Sequence, residues 1–145
     1  MPDIRHSIQV AAAPDRVHSL VSSSHGFSLW WAADVTENAA TKSVDLGFFN
    51  RSTIYRLQPT DFLASPRESA WLCLSGKEWV GTSLFFRIAS VDHQTLLQFT
   101  HAGWQAETPY FISCNTTWGA LMYRLKAIAE GKPLGPLFSA DGMTY

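Results

Sequence analysis

Residues 108–130 read TPYFISCNTTWGALMYRLKAIAE, and this stretch decides the fold. Phe111, Cys114, Trp118, Leu121, Leu125 and Ile128 recur in steps of three and four. Side chains at that spacing share one helix face, so the stretch is expected to be a single long amphipathic helix. Gly131-Lys132-Pro133 follows, a glycine and then a proline, which is a common stop signal. Ahead of the helix, strand-like segments end at His101-Ala102-Gly103-Trp104. A long helix after a series of antiparallel-looking strands needs a broad curved sheet to bury its stripe. The expected product is a sheet gripping one helix, with a hollow between them.

Working toward the N-terminus, Ile4 to Val10 alternates apolar and polar residues and reads as a strand. Pro14 suits a first helical turn, and Val17, Leu20 and Val21 give that helix a buried edge ending at Ser22-Ser23-Ser24. A second short helix is expected over about His25 to Trp31, with at most one of the adjacent Trp30 and Trp31 pointing fully inward. From Thr41 onward strands come in series. Val44, Leu46 and Phe48 form one inward set, and Thr53, Tyr55 and Leu57 the next, on a strand broken by Pro59 and Asp61. Ala70–Ser75, Thr82–Ser90 and Gln94–His101 complete the series. Their inward sets are Trp71 with Cys73, then Leu84, Phe86 and Ile88, then Leu97, Phe99 and His101. The fold class is therefore α+β: a curved antiparallel sheet of about six to seven strands wrapped around a C-terminal helix. One domain spans residues 1–145, with an irregular tail from about 132 anchored by Leu137, Phe138 and Tyr145.

Composition narrows the function classes. The chain has 145 residues and a formal net charge of -1, so the electrostatic footprint of a nucleic-acid binder is missing. No apolar run approaches the ~20 residues of a membrane span, and the N-terminus lacks signal-peptide order, so a cytoplasmic location without membrane insertion is expected. Cys73 and Cys114 are too few for a disulfide framework and read as reduced, buried thiols. The five histidines show no ligand spacing, so no metal and no cofactor is expected. Nucleophile elbows, metal-binding helices and phosphate-binding loops are absent from the sequence.

The order of elements resembles the START-like (SRPBCC, helix-grip) superfamily, in particular the branch of activators of the heat-shock chaperone ATPase. Ile8-Gln9-Val10 with Ala13-Pro14-Asp15-Arg16-Val17 is similar to that branch's entry into its first helix. Gly81-Thr82 through Leu97-Gln98-Phe99-Thr100-His101-Ala102-Gly103-Trp104 resembles its final hairpin with a His-x-Gly turn. Trp118, Leu121, Leu125-Lys126 and Glu130-Gly131 resemble its closing helix. The resemblance implies a fold and a cavity. It embraces ligand carriers, polyketide cyclases or dehydratases, and chaperone-binding modules, so the choice rests on residues.

The favoured expectation is binding of a small hydrophobic or aromatic ligand between sheet and helix. Its lining is expected from Tyr55, Trp71, Phe86, Phe99, His101, Trp104, Trp118 and Leu121, with Cys73 and Asn115 as further polar groups. Apolar walls with few polar groups are the usual form of such a site. Trp79 lies in a loop and reads as a lid or an edge-packing residue. A cyclase-like enzyme in the same hollow is the alternative, and it would need His101 or Tyr55 to move protons. His101 is weighed between fixing the turn by hydrogen bonds, anchoring ligand and acid–base catalysis. A chaperone partner and a homodimer are the remaining partner expectations. Asp34, Asp45 and Glu107 read as solvated charges.

Overall fold

The computed structural model describes residues 1–60 and 66–145. In chain order the elements are β1 (Ile4–Val10), α1 (Pro14–Val21), α2 (Ser24–Trp30), β2 (Asp34–Glu37), β3 (Val44–Phe48) and β4 (Thr53–Pro59). There follow β5 (Glu68–Cys73), β6 (Ser83–Val91), β7 (Gln94–Ala102), α3 (Pro109–Ala129), β8 (Phe138–Ser139) and β9 (Gly142–Met143). Seven strands form one antiparallel sheet in the order β1-β7-β6-β5-β4-β3-β2. The last long strand therefore pairs with the first, which returns the chain to the place where α3 can lie across the sheet.

Local chemistry sets the boundaries. Pro14 occupies the first turn of α1, where its missing N–H costs nothing. The serine run does more than end α1: the Ser23 hydroxyl accepts the Gly26 N–H at 3.0 Å and so caps α2. Thr108 caps α3 by accepting the Phe111 N–H at 3.2 Å. At the other end Gly131 takes φ +87°, the Gly131 N–H reaches the Ile128 carbonyl and the Lys132 N–H reaches that of Ala127. This pair of bonds is a Schellman closure, and only glycine takes that backbone conformation without strain. The β6–β7 hairpin turns on Asp92 and His93, both with positive φ, as a tight two-residue connection requires.

The expected helix stripe is buried in full, joined by Met122 and Ala129. Inward parity holds on β3, β4, β6 and β7, and on β5 Trp71 and Cys73 are buried while Leu74 beyond the strand is exposed. Four expectations need correction. β2 was not anticipated: an edge strand reading Asp-Val-Thr-Glu with a half-open face carries no strong apolar alternation. β5 runs about two residues earlier than expected. Both Trp30 and Trp31 are buried, because the α2 terminus turns at Trp31 and stacks the two rings at 5.5 Å and 21°. The tail is irregular only as far as Leu137; the β8–β9 hairpin follows, stitched to the end of α2 by Leu137 N–H to the Trp30 carbonyl and Phe138 N–H to that of Trp31. Leu137 and Phe138 are its buried anchors, whereas Tyr145 is exposed. The expected strand break at Pro59 coincides with the end of β4, and Asp61 lies outside the described residues.

Candidate functional site

A cavity of about 320 Å³ opens between the first half of α3, strands β3 and β4, the end of α2 and the β8–β9 hairpin. Its α3 wall is Tyr110, Ser113, Cys114, Thr117, Trp118 and Leu121, again a three-and-four spacing. Cys114, Trp118 and Leu121 belong to the buried stripe, and Tyr110, Ser113 and Thr117 flank it. The opposite walls are Phe48, Phe49, Thr53 and Tyr55 from the β3–β4 hairpin, Trp31 from the end of α2, and Phe138 and Met143 from the tail.

One side of the cavity is a row of rings. Tyr55 and Trp79 stack at 4.0 Å and 6°, and Trp79 lies 5.9 Å from Trp118 at 18°. Trp31 closes the row at 5.0 Å from Trp118. Gly76 makes the stack feasible: a Cβ there would sit 2.4 Å from the Tyr55 ring, and its φ of +113° suits glycine. The turn carrying Trp79 is tied to α3, since the capping Thr108 hydroxyl donates to Glu78 at 2.6 Å. Trp79 is therefore a fixed wall residue rather than a mobile flap.

Among the described residues no charged side chain lines the cavity. The Tyr55 and Tyr110 hydroxyls are hydrogen-bonded to each other. Burial raises the Tyr55 hydroxyl well above the usual range, and pushes that of Tyr110 up to about 12. Burial likewise raises the Cys114 thiol. Each of these groups is neutral near pH 7, so the site offers apolar area and a few uncharged donors and acceptors.

Of the residues expected to line the site, Tyr55, Trp118 and Leu121 do so. Trp71, Phe86, Phe99, His101 and Trp104 do not; all five are packed in the core. Trp71 clamps α1 to the sheet, its indole N–H donating to the Val21 carbonyl and the Ser69 hydroxyl. Phe86 and Phe99 fill the middle of the sheet with ring centroids 5.1 Å apart. Trp104 packs between His101 and Phe111 rather than over a mouth. Cys73 is buried beneath the wall, with burial raising its thiol to about 11, and Asn115 is on the solvent side of α3.

His101 is fully buried behind Trp118. The Trp118 indole N–H donates to its Nδ1 at 3.2 Å, which places the ring proton on Nε2. That N–H donates to the Thr82 hydroxyl at 2.7 Å, and the Thr82 O–H donates in turn to the Trp79 carbonyl at 2.5 Å. Burial holds the imidazole neutral by lowering its pKa to about 3. The chain of bonds fixes the two tryptophans of the cavity wall, a structural task. Asp34 and Asp45 pair with Arg51 and Arg56 at the surface, and Glu107 is exposed. Among the described residues no group of acids, histidines and cysteines is placed to hold a metal ion. Among the described residues no helix is long and apolar enough to cross a membrane.

Sequence reasoning missed Trp31, Tyr110, Thr117 and Phe138 as wall residues. The signal for two of them was present: Tyr110, Ser113 and Thr117 recur at helical spacing along one flank of the core stripe. Nothing local marked Phe138, which reaches the cavity only through the tail's pairing with α2.

No family model and no curated protein matches the chain. Solved structures do. The Aha1 dimer from Colwellia psychrerythraea superposes with a TM-score of 0.78 at 24% identity, covering 92% of this chain and 100% of that one. A Bacillus halodurans protein gives 0.67 at 21% identity over 90% of this chain and 98% of its own. A START superfamily protein from Mycobacterium smegmatis gives 0.62 at 15% identity over 89% and 94%. Together with the seven-stranded antiparallel sheet around α3, these likenesses establish that the chain has the START-like, helix-grip fold.

Proposed function

We propose that this protein binds a small hydrophobic or aromatic molecule in the cavity between α3 and the β3–β4 hairpin. The observation that carries this reading is an uncharged hollow of about 320 Å³ walled by stacked aromatic rings. Small-molecule sites occupy roughly 300–1,000 Å³ and are mostly apolar with a few placed polar groups. The size fits a ligand of one or two fused rings better than a long flexible chain. Binding is favoured over cyclase-like turnover because His101 is sealed behind Trp118, with both ring nitrogens already engaged. A chaperone partner rests on the family resemblance alone. A homodimer has the support that the Colwellia protein is described as a dimer.

The test is a titration with the uncharged fluorophore N-phenyl-1-naphthylamine against the protein and a Thr117→Phe variant. Thr117 is half-buried on the cavity wall, so the larger ring occupies the hollow. Saturable fluorescence enhancement that falls at least about tenfold in affinity in the variant, with an unchanged circular dichroism spectrum, is the expected outcome. Equal affinity in both proteins would sink the reading.

A further inference from the structure

The inner face of α3 grips the sheet, and its outer face lacks the charges that a solvated helix face ordinarily carries. From Pro109 to Tyr123 the helix has no charged residue; the first is Arg124. Pro109, Ile112, Thr116, Ala120, Tyr123 and Ala127 recur on the outer side in steps of three and four. Ile112 is 61% exposed and Tyr123 70%. A charge-free strip holding large exposed side chains has the composition of an interface core.

The order of residues along the strip selects its occupant. Ile112 and Tyr123 stand on either side of the smaller Thr116 and Ala120, at nearly equal distances from the middle. A second α3, laid antiparallel across a two-fold axis between Thr116 and Ala120, sets Ile112 of each copy against Tyr123 of the other. Thr116 then meets Ala120, so the face fills itself. Charge at the two ends favours the same orientation. Around the start of α3 stand Asp3, Glu78 and Glu107 against Lys77, and around its end Arg124, Lys126 and Lys132 against Glu130. Antiparallel pairing brings the acidic end of one copy to the basic end of the other, whereas parallel pairing joins like charges. The area sets the strength. A helix of 21 residues is about 31 Å long and about 11 Å wide, a footprint of roughly 350 Å² per copy. Two such footprints fall below the ~1,200 Å² at which stable interfaces begin, so the association is weak and reversible.

We propose that the outer face of α3 is a self-association surface, occupied by the same face of a second copy in antiparallel orientation. The proposal is independent of the cavity-binding reading, since neither Ile112 nor Tyr123 lines the cavity. It gives the homodimer a surface.

Sedimentation equilibrium of the full chain at low salt, from about 5 to about 500 μM, tests it. A reversible monomer–dimer equilibrium with Kd of roughly 10–300 μM is expected. Ile112→Lys and Tyr123→Lys should each weaken it at least about tenfold with an unchanged circular dichroism spectrum. Phe85→Lys, on the open face of the sheet, should leave Kd within about twofold. Glu107→Lys should weaken the dimer about threefold or more, and the double variant Glu107→Lys/Lys132→Glu should recover wild-type Kd within about twofold. A chain monomeric over the whole range would overturn the proposal, as would a dimer indifferent to Ile112→Lys and Tyr123→Lys. Loss confined to Phe85→Lys would move the interface to the sheet and overturn it equally. A Glu107→Lys effect that is absent, or that the double variant does not recover, would overturn the antiparallel arrangement.

Discussion

Holding His101 neutral makes the stability of this fold depend on pH in a calculable way. In an unfolded chain its imidazole takes up a proton near pH 6.5, whereas burial in the native state defers that event to about pH 3. Below pH 6.5 the unfolded state therefore binds more protons than the native one, and stability falls with pH until about pH 3. The slope approaches ~1.4 kcal/mol per pH unit for one proton. Between about pH 7 and about pH 5 this group alone should remove ~2 kcal/mol, or roughly 4–8 °C in Tm for a domain near this size. The perturbation is His101→Gln, whose amide can accept from the Trp118 indole and donate to Thr82 without ever titrating. At neutral pH the variant should lose ~1–3 kcal/mol from imperfect hydrogen bonds in a buried site. Between about pH 7 and about pH 5 it should lose ~2 kcal/mol less than wild type. Urea unfolding of both proteins at both pH values measures this, and groups common to the two cancel in the difference. If both lose the same stability within ~0.5 kcal/mol, His101 is not held neutral and the hydrogen-bond assignment built on its tautomer fails with it.

Packing next to the cavity gives two further predictions. Leu121 borders the existing hollow whereas Leu125, fully buried, does not, so Leu125→Ala should cost ~3–5 kcal/mol and Leu121→Ala ~2–3 kcal/mol, and denaturant titrations showing the reverse order would contradict the placement of the cavity. Phe138 meets Phe48 edge-on at 5.0 Å, so Phe138→Ala should cost ~3 kcal/mol, measured as a lowered denaturant midpoint; a variant as stable as wild type would return the tail to the loose drape expected from its composition.

The parts of the fold that could be read in advance are those where one local period decides the outcome. The helix stripe from Phe111 to Ile128, the hairpin turn at Asp92-His93 and the inward sets on β3, β6 and β7 each follow from spacing and turn chemistry within a few residues. What escaped was set by contacts between distant segments. β2 exists because β3 offers it an edge, and the β8–β9 hairpin because backbone groups at Trp30, Trp31 and Ala33 await partners at the end of α2. Composition alone made both segments look irregular. Trp30 and Trp31 were misjudged for a related reason: consecutive residues diverge on a helix, but distant segments cover both directions here, Phe86 meeting Trp30 and Trp118 meeting Trp31.

Strand parity located the interior correctly and the void incorrectly, and the difference has a physical cause. Parity says which side chains face α3; it does not say whether they meet. Large aromatic residues attracted the prediction of a cavity at Trp71, Phe86 and Phe99, yet large side chains are what fill space. Phe27 inserts from α2 against Trp71 at 5.0 Å, and Phe99 reaches Trp118 at 4.1 Å, so the middle of the sheet is closed. The hollow appears where α3 presents the small side chains Ser113, Cys114 and Thr117. There the wall opposite, Phe48 and Tyr55, is braced by ring contacts with Phe138 and Trp79 of the same wall and does not collapse inward. A run of small and hydroxyl-bearing residues on one flank of an otherwise apolar helix, set against rings that are pinned elsewhere, is the sequence pattern that marks a cavity in this fold. Aromatic residues mark its walls only where something holds them back.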